Sequence, residues 1–148
     1  MNRLAIIANA ALCAGLAACL PPPNGSPSPG IQSLLDQRRA SIEQLRADTL
    51  QPLTLWEQEQ PPACGSPNLD KARASALATA ATLDPQRHGL DAVIDSGGWV
   101  LQVADAARQH GCKDMARRLY DTVIAAYPGS AYVALRQRAQ IGIEDLRQ

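Results

Sequence analysis

Apolar positions recur with helical period along most of this chain, and most cleanly between residues 99 and 148. Trp99, Val100, Val103, Ala104 and Ala107 form a broad stripe, and Gly111 follows where a left-handed residue would end that helix. A second stripe, Met115, Ala116, Leu119, Tyr120, Val123, Ile124 and Tyr127, stops at the breaker pair Pro128-Gly129. Ser130 stands where it would cap a third helix with Tyr132, Leu135, Ala139, Ile143 and Leu146 on its apolar face. Linkers this short make successive helices pack as antiparallel hairpins.

Upstream, Ile31, Leu34, Leu35, Ile42 and Leu45 mark one face of an amphipathic helix, interrupted by Arg38 and ending by Pro52. Arg38-Arg39 reads as a solvated patch. The apolar face is expected to pack against the C-terminal hairpins, a short coiled-coil seam being the alternative. Leu53 to Gln60 adds a helical turn with Leu53, Leu55 and Trp56, and Pro61-Pro62 breaks it. Ser66, Pro67 and Asp70 mark a helix start: a cap, a first-position proline and an acid in the first turn. The helix from Pro67 to Leu83 is alanine-rich, with Leu69, Ala72, Ala76, Ala80 and Leu83 on one side, and Asp84-Pro85 ends it. Leu90, Val93 and Ile94 predict a short helix closed by Gly97-Gly98. The expected fold is all-α, a short array of antiparallel hairpins over residues 31–148.

Ala104, Gly111, Ala116, Tyr120 and Pro128 together resemble the tetratricopeptide pattern of small residue, turn glycine, small residue, aromatic and closing proline. The resemblance implies a hairpin over about 97–130 and a terminal capping helix over 131–147. It also implies close backbone approach at Ala104 and Ala116, with Tyr120 filling the gap between hairpins. The chain departs from the pattern in placing Trp99 one position early and in having no large residue at Ala107.

Residues 1–18 are not part of the fold. Arg3 gives a short positive region, and Leu4 to Ala18 is uncharged, mostly apolar and short for a membrane span. The site Leu16-Ala17-Ala18-Cys19 resembles the bacterial lipoprotein signal. The resemblance implies cleavage before Cys19 and a diacylglycerol thioether on it, with further acylation, enough for stable anchoring. Leu20 is not the aspartate that tends to retain such proteins in the inner membrane of enteric-type bacteria, so the periplasmic face of the outer membrane is expected. Leu20 to Gly30 holds five prolines and no charge. It predicts a semi-rigid tether over 19–30 that reaches roughly 30 Å at about 3.1 Å per residue.

The 148 residues carry a formal net charge of zero, with 3% aromatics and no Phe, which suits one domain and argues against nucleic acid as the partner. Cys13 leaves with the signal and Cys19 is taken by lipid. That leaves Cys64 and Cys112, whose even number in an oxidising compartment favours a disulfide. Closing a loop of about 49 residues should stabilise by roughly 4 kcal/mol in the chain-entropy model. His110, Cys112 and His88 fall short of a zinc set, and no metal or other cofactor is expected. No G-x-S-x-G, H-E-x-x-H or phosphate loop occurs, and Asp91, Asp95, Glu144 and Asp145 fall on expected solvated faces. A binding module is therefore expected in preference to an enzyme. The leading expectation is a lipid-anchored periplasmic scaffold that binds a protein or peptide in an envelope assembly or secretion system. The alternative is a structural accessory lipoprotein that oligomerises through residues 31–50. A cell-wall enzyme activator has no residues in its favour.

Overall fold

The computed structural model describes residues 28–148, so Cys13, the proposed lipid site Cys19 and most of the tether lie outside the described residues. Of the described residues, 36–148 form one compact unit. The described part is all helical: α1 (Pro29–Glu57), α2 (Pro67–Thr82), α3 (Pro85–His88), α4 (Leu90–Gln109), α5 (Lys113–Ala126), a 3-10 turn (Ser130–Tyr132) and α6 (Val133–Asp145).

α1 begins with Pro29, two residues inside the stretch read as tether. Its missing N–H costs nothing in a first turn, and the Ser28 carbonyl accepts from Gln32 N–H at 3.0 Å. The helix does not end by Pro52 as expected but runs five residues further. Proline cannot donate to the carbonyl of Asp48, yet Asp48 is exposed, so water can take that place. Continuing brings Leu53 and Trp56 into the core, and Trp56 Nε1 donates to the Ala63 carbonyl at 2.9 Å. Leu45 and Leu50 pack against the same core. Ile31, Leu34 and Leu35 do not share the packing expected of their face; they are 54%, 67% and 43% exposed. Arg38 is not free in solvent either, since its guanidinium donates to the Arg87 carbonyl.

Ser66 caps α2 as its position predicts. Its Oγ accepts from Asn68 N–H at 3.2 Å and donates to Glu59 Oε1 at 2.5 Å. With Asn68 Nδ2 donating as well, the Glu59 carboxyl is held below its ordinary range. Ala72 and Ala76 are fully buried on the side of α2 that meets α4.

α4 is the central helix of residues 36–148. It packs against α2, α3, α5 and α6, and its buried residues occupy most of its circumference. It is one helix of 20 residues, not a short helix closed by Gly97-Gly98 and a second one after it. The reason is spatial. A Cβ on Gly97 would lie 2.6 Å from Leu135 Cδ1 and within 3.1–3.2 Å of the Tyr127 ring, so the glycine is a recess for neighbours from beyond α5. Ser96, fully buried beside it, donates to the Val93 carbonyl at 2.8 Å and shares a 3.0 Å hydrogen bond with the Tyr127 hydroxyl. The α4–α5 hairpin accordingly starts at Leu90 rather than near residue 97. Ser130 also differs from expectation. It opens the 3-10 turn, and α6 starts at Val133 without a side-chain cap. Arg136 Nη1, reaching back to the carbonyls of Tyr127 and Gly129 at 2.6 Å each, ties that linker instead.

Candidate functional site

The turn between α4 and α5 is built from local chemistry. Gly111 has φ 79°. Its N–H donates to the Arg108 carbonyl at 3.0 Å, and Cys112 N–H donates to the Ala107 carbonyl at 2.8 Å. This pair of bonds is the Schellman motif, which needs a left-handed residue at this point and so selects glycine. Pro128 follows directly after the cap of α5, Tyr127. Ala104, Ala116 and Tyr120 are fully buried in the common core.

Cys64 and Cys112 are joined, with an S–S distance of 2.08 Å and Cα atoms 5.3 Å apart. The bond links the loop before α2 to the first residue after Gly111. The Trp56 ring meets His110 edge-on beside it, at a centroid distance of 5.0 Å. Of the residues weighed as metal ligands, Cys112 is thus held in the disulfide. Among the described residues no group of three His, Cys, Asp or Glu side chains stands together.

Tyr120 occupies the space between α4, α5 and α6. Its ring fills the recess at Gly142, where a Cβ would lie 2.3 Å from Tyr120 Cζ. Its hydroxyl donates to Asp105 Oδ1 at 2.6 Å, and Arg138 reaches the other oxygen of the same carboxylate. Burial first, then the bond to Asp105, pushes the Tyr120 hydroxyl up to about 12. Arg108 on α4 faces Asp145 on α6 at 3.3 Å.

The side of α4 that carries Asp105 forms the floor of an open groove of about 350 Å³. Leu50, Leu53 and Glu57 of α1, Gln102 and Gln109 of α4 and Arg138 of α6 line it. Gln102 and Gln109 are seven residues apart, two turns along one face, so their Cα atoms lie about 10 Å apart. Asp105 is already satisfied by Tyr120 and Arg138, whereas Glu57 enters no ion pair among the described residues. The groove thus offers aliphatic surface, two carboxamides and one unpaired carboxylate. None of its polar residues stood out in the sequence. Asp105 and Arg138 are 33 positions apart, and no spacing rule links them.

Among the described residues no helix is long and apolar enough to cross a membrane. Comparison with known proteins finds no matching family model, no matching curated protein and no matching solved structure.

Proposed function

We propose that the chain is a lipid-anchored adaptor on the periplasmic face of the bacterial outer membrane, binding a protein or peptide partner within an envelope assembly or secretion system. One observation carries the reading: the order Leu16-Ala17-Ala18-Cys19, a proline-rich uncharged spacer, then a helical body with a cystine. That order is what an exported, tethered domain requires. In the same reading the α4–α5 hairpin is a tetratricopeptide-like unit with α6 as its cap. The Schellman turn at Gly111, the burial of Ala104, Ala116 and Tyr120, and Pro128 directly after α5 support it. The groove along α1 and α4 is the proposed partner site, and the role is binding, not catalysis.

Two experiments test the proposal. Labelled palmitate should enter the full chain in a bacterial host and be lost in Cys19→Ser; label persisting in the variant overturns the anchor. A photo-crosslinking residue in place of Gln102 should yield a discrete adduct in cells, and one in place of the exposed Ala78 should not. Equal, diffuse labelling at both positions overturns the groove. The accessory reading, self-association through residues 31–50, draws on the exposure of Ile31, Leu34 and Leu35. A concentration-dependent dimer of the mature chain in sedimentation would favour it.

A further inference from the structure

The buried residues of α1, Thr49, Pro52, Leu53 and Trp56, all lie in its last third. At the other end, Ile31, Leu34 and Leu35 occupy one helical turn at i, i+3 and i+4, which places them together on one side, and each is more than two-fifths exposed. Large aliphatics grouped on an exposed turn point to a surface that is covered in use. Two features identify the cover. From Leu20 to Leu35 no residue carries a charge; the first are Asp36, Arg38 and Arg39. Ten positions separate Pro29 from Cys19, so a lipid on that cysteine holds the start of α1 within roughly 30 Å of the bilayer surface.

We propose that the first two turns of α1, through Ile31, Leu34 and Leu35, insert into the interfacial region of the membrane that carries the anchor. The inference rests on lipidation of Cys19 as proposed above. An uncharged approach of 16 residues lets this stretch enter the headgroup–acyl boundary without desolvating an ion. Asp36 and Arg39, 3.8 Å apart on an exposed face, then mark where the helix returns to water. Attachment is apolar, because the stretch from Asp36 to Arg39 carries a net charge of only +1. A second copy is the poorer occupant. One turn bearing three aliphatic side chains falls well short of the roughly 800 Å² per partner that a stable dimer buries. Three such side chains also bind a bilayer weakly from solution. Tethering raises their effective concentration and makes the contact lasting.

The test uses the full lipidated chain carrying Leu34→Trp, purified from a bacterial host and reconstituted into phosphatidylethanolamine/phosphatidylglycerol vesicles. Trp56 and Trp99 are buried and supply a constant background. The added emission should shift to the blue and be quenched when the acyl chains are brominated, and should stay quenched in high salt. Ala78→Trp, at an exposed position of α2, should be neither shifted nor quenched. Emission from Leu34→Trp that stays red and unquenched, in protein that incorporates palmitate at Cys19, overturns the insertion and leaves the anchor standing. A blue shift without bromine quenching also overturns it, and assigns the turn to a protein contact. Absence of palmitate from the wild-type chain removes the anchor and the insertion together.

Discussion

Two glycines on α4 do opposite things. Gly111, just past its end, has a left-handed backbone, and a Cβ placed on it would meet nothing within 4 Å. Gly97, inside the helix, has no need of an unusual backbone, and a Cβ placed on it would collide with Leu135 and Tyr127. The first is selected for the conformation it permits, the second for the volume it leaves empty. Only the first stops the helix. A glycine pair in the middle of a helical pattern is therefore ambiguous until the residues that approach it are known. The cost of a mid-helix glycine, about 1 kcal/mol against alanine, is readily exceeded by the packing it admits.

Four sets of substitutions test this contrast, and the largest effect concerns the turn side. Cys112 follows Gly111, so the turn is crosslinked as well as capped. Replacing both Cys64 and Cys112 by Ser should lower stability by about 4 kcal/mol in chemical denaturation, through release of the unfolded chain. The far-ultraviolet dichroism of the native state should remain helical, since the Schellman bonds do not depend on the cystine. Loss of helix in the native baseline would show that the crosslink, not the glycine, makes the turn.

The recess class is best tested at Gly142, where the collision is with the Tyr120 ring, which has no room to move. Gly142→Ala should cost about 1–3 kcal/mol in thermal melts even though alanine favours helix. Gly97→Ala should cost less, because the nearest atom is the end of the flexible Leu135 side chain. The reverse order would mean that ring and recess are not matched.

Tyr120 supplies a pH test of the same pocket. Its hydroxyl titrates at about 12 in the fold against 10 ordinarily, because burial and Asp105 favour the neutral form. The native state therefore binds the proton more tightly than the unfolded one. This stability is fully present below pH 10 and is lost as pH rises toward 12. The melting temperature of the wild type should fall more steeply across that window than that of Tyr120→Phe. Tyr127, also pushed up by burial, is common to both proteins and drops out of the difference. Parallel curves would place the Tyr120 hydroxyl in water.

The smallest effects are a pair of opposite sign. Gly98→Ala lies within α4 with nothing inside 4 Å of the new methyl and should stabilise by about 0.4–1 kcal/mol. Gly111→Ala meets equally open space but must hold φ near 79° and should destabilise by about 1–2 kcal/mol. Equal shifts in melting temperature would remove the distinction between the two kinds of glycine.

Features that depend on residues within about four positions of each other could be read directly from the chain. These are the all-helical class, the Ser66-Pro67 start of α2, the turn at Gly111 and the end of α5 at Pro128. A cap, a left-handed glycine and a helical apolar stripe act over one turn of chain, so they can be read without knowing what lies opposite. The cystine was legible for another reason, because Cys64 and Cys112 are the only two cysteines after position 19. Tertiary structure alone decided the passage of α1 through Pro52 and of α4 through Gly97, the meeting of Tyr120 with Gly142, and the pairing of Asp105 with Arg138. Each depends on surfaces brought together from 22 or more positions apart, or on a buried residue such as Trp56 that makes continuing a helix more favourable than ending it. Local propensity weighs tenths of a kilocalorie to about one per residue, whereas burying a large side chain is worth about 1.5–3 kcal/mol, and where the two conflict burial prevails.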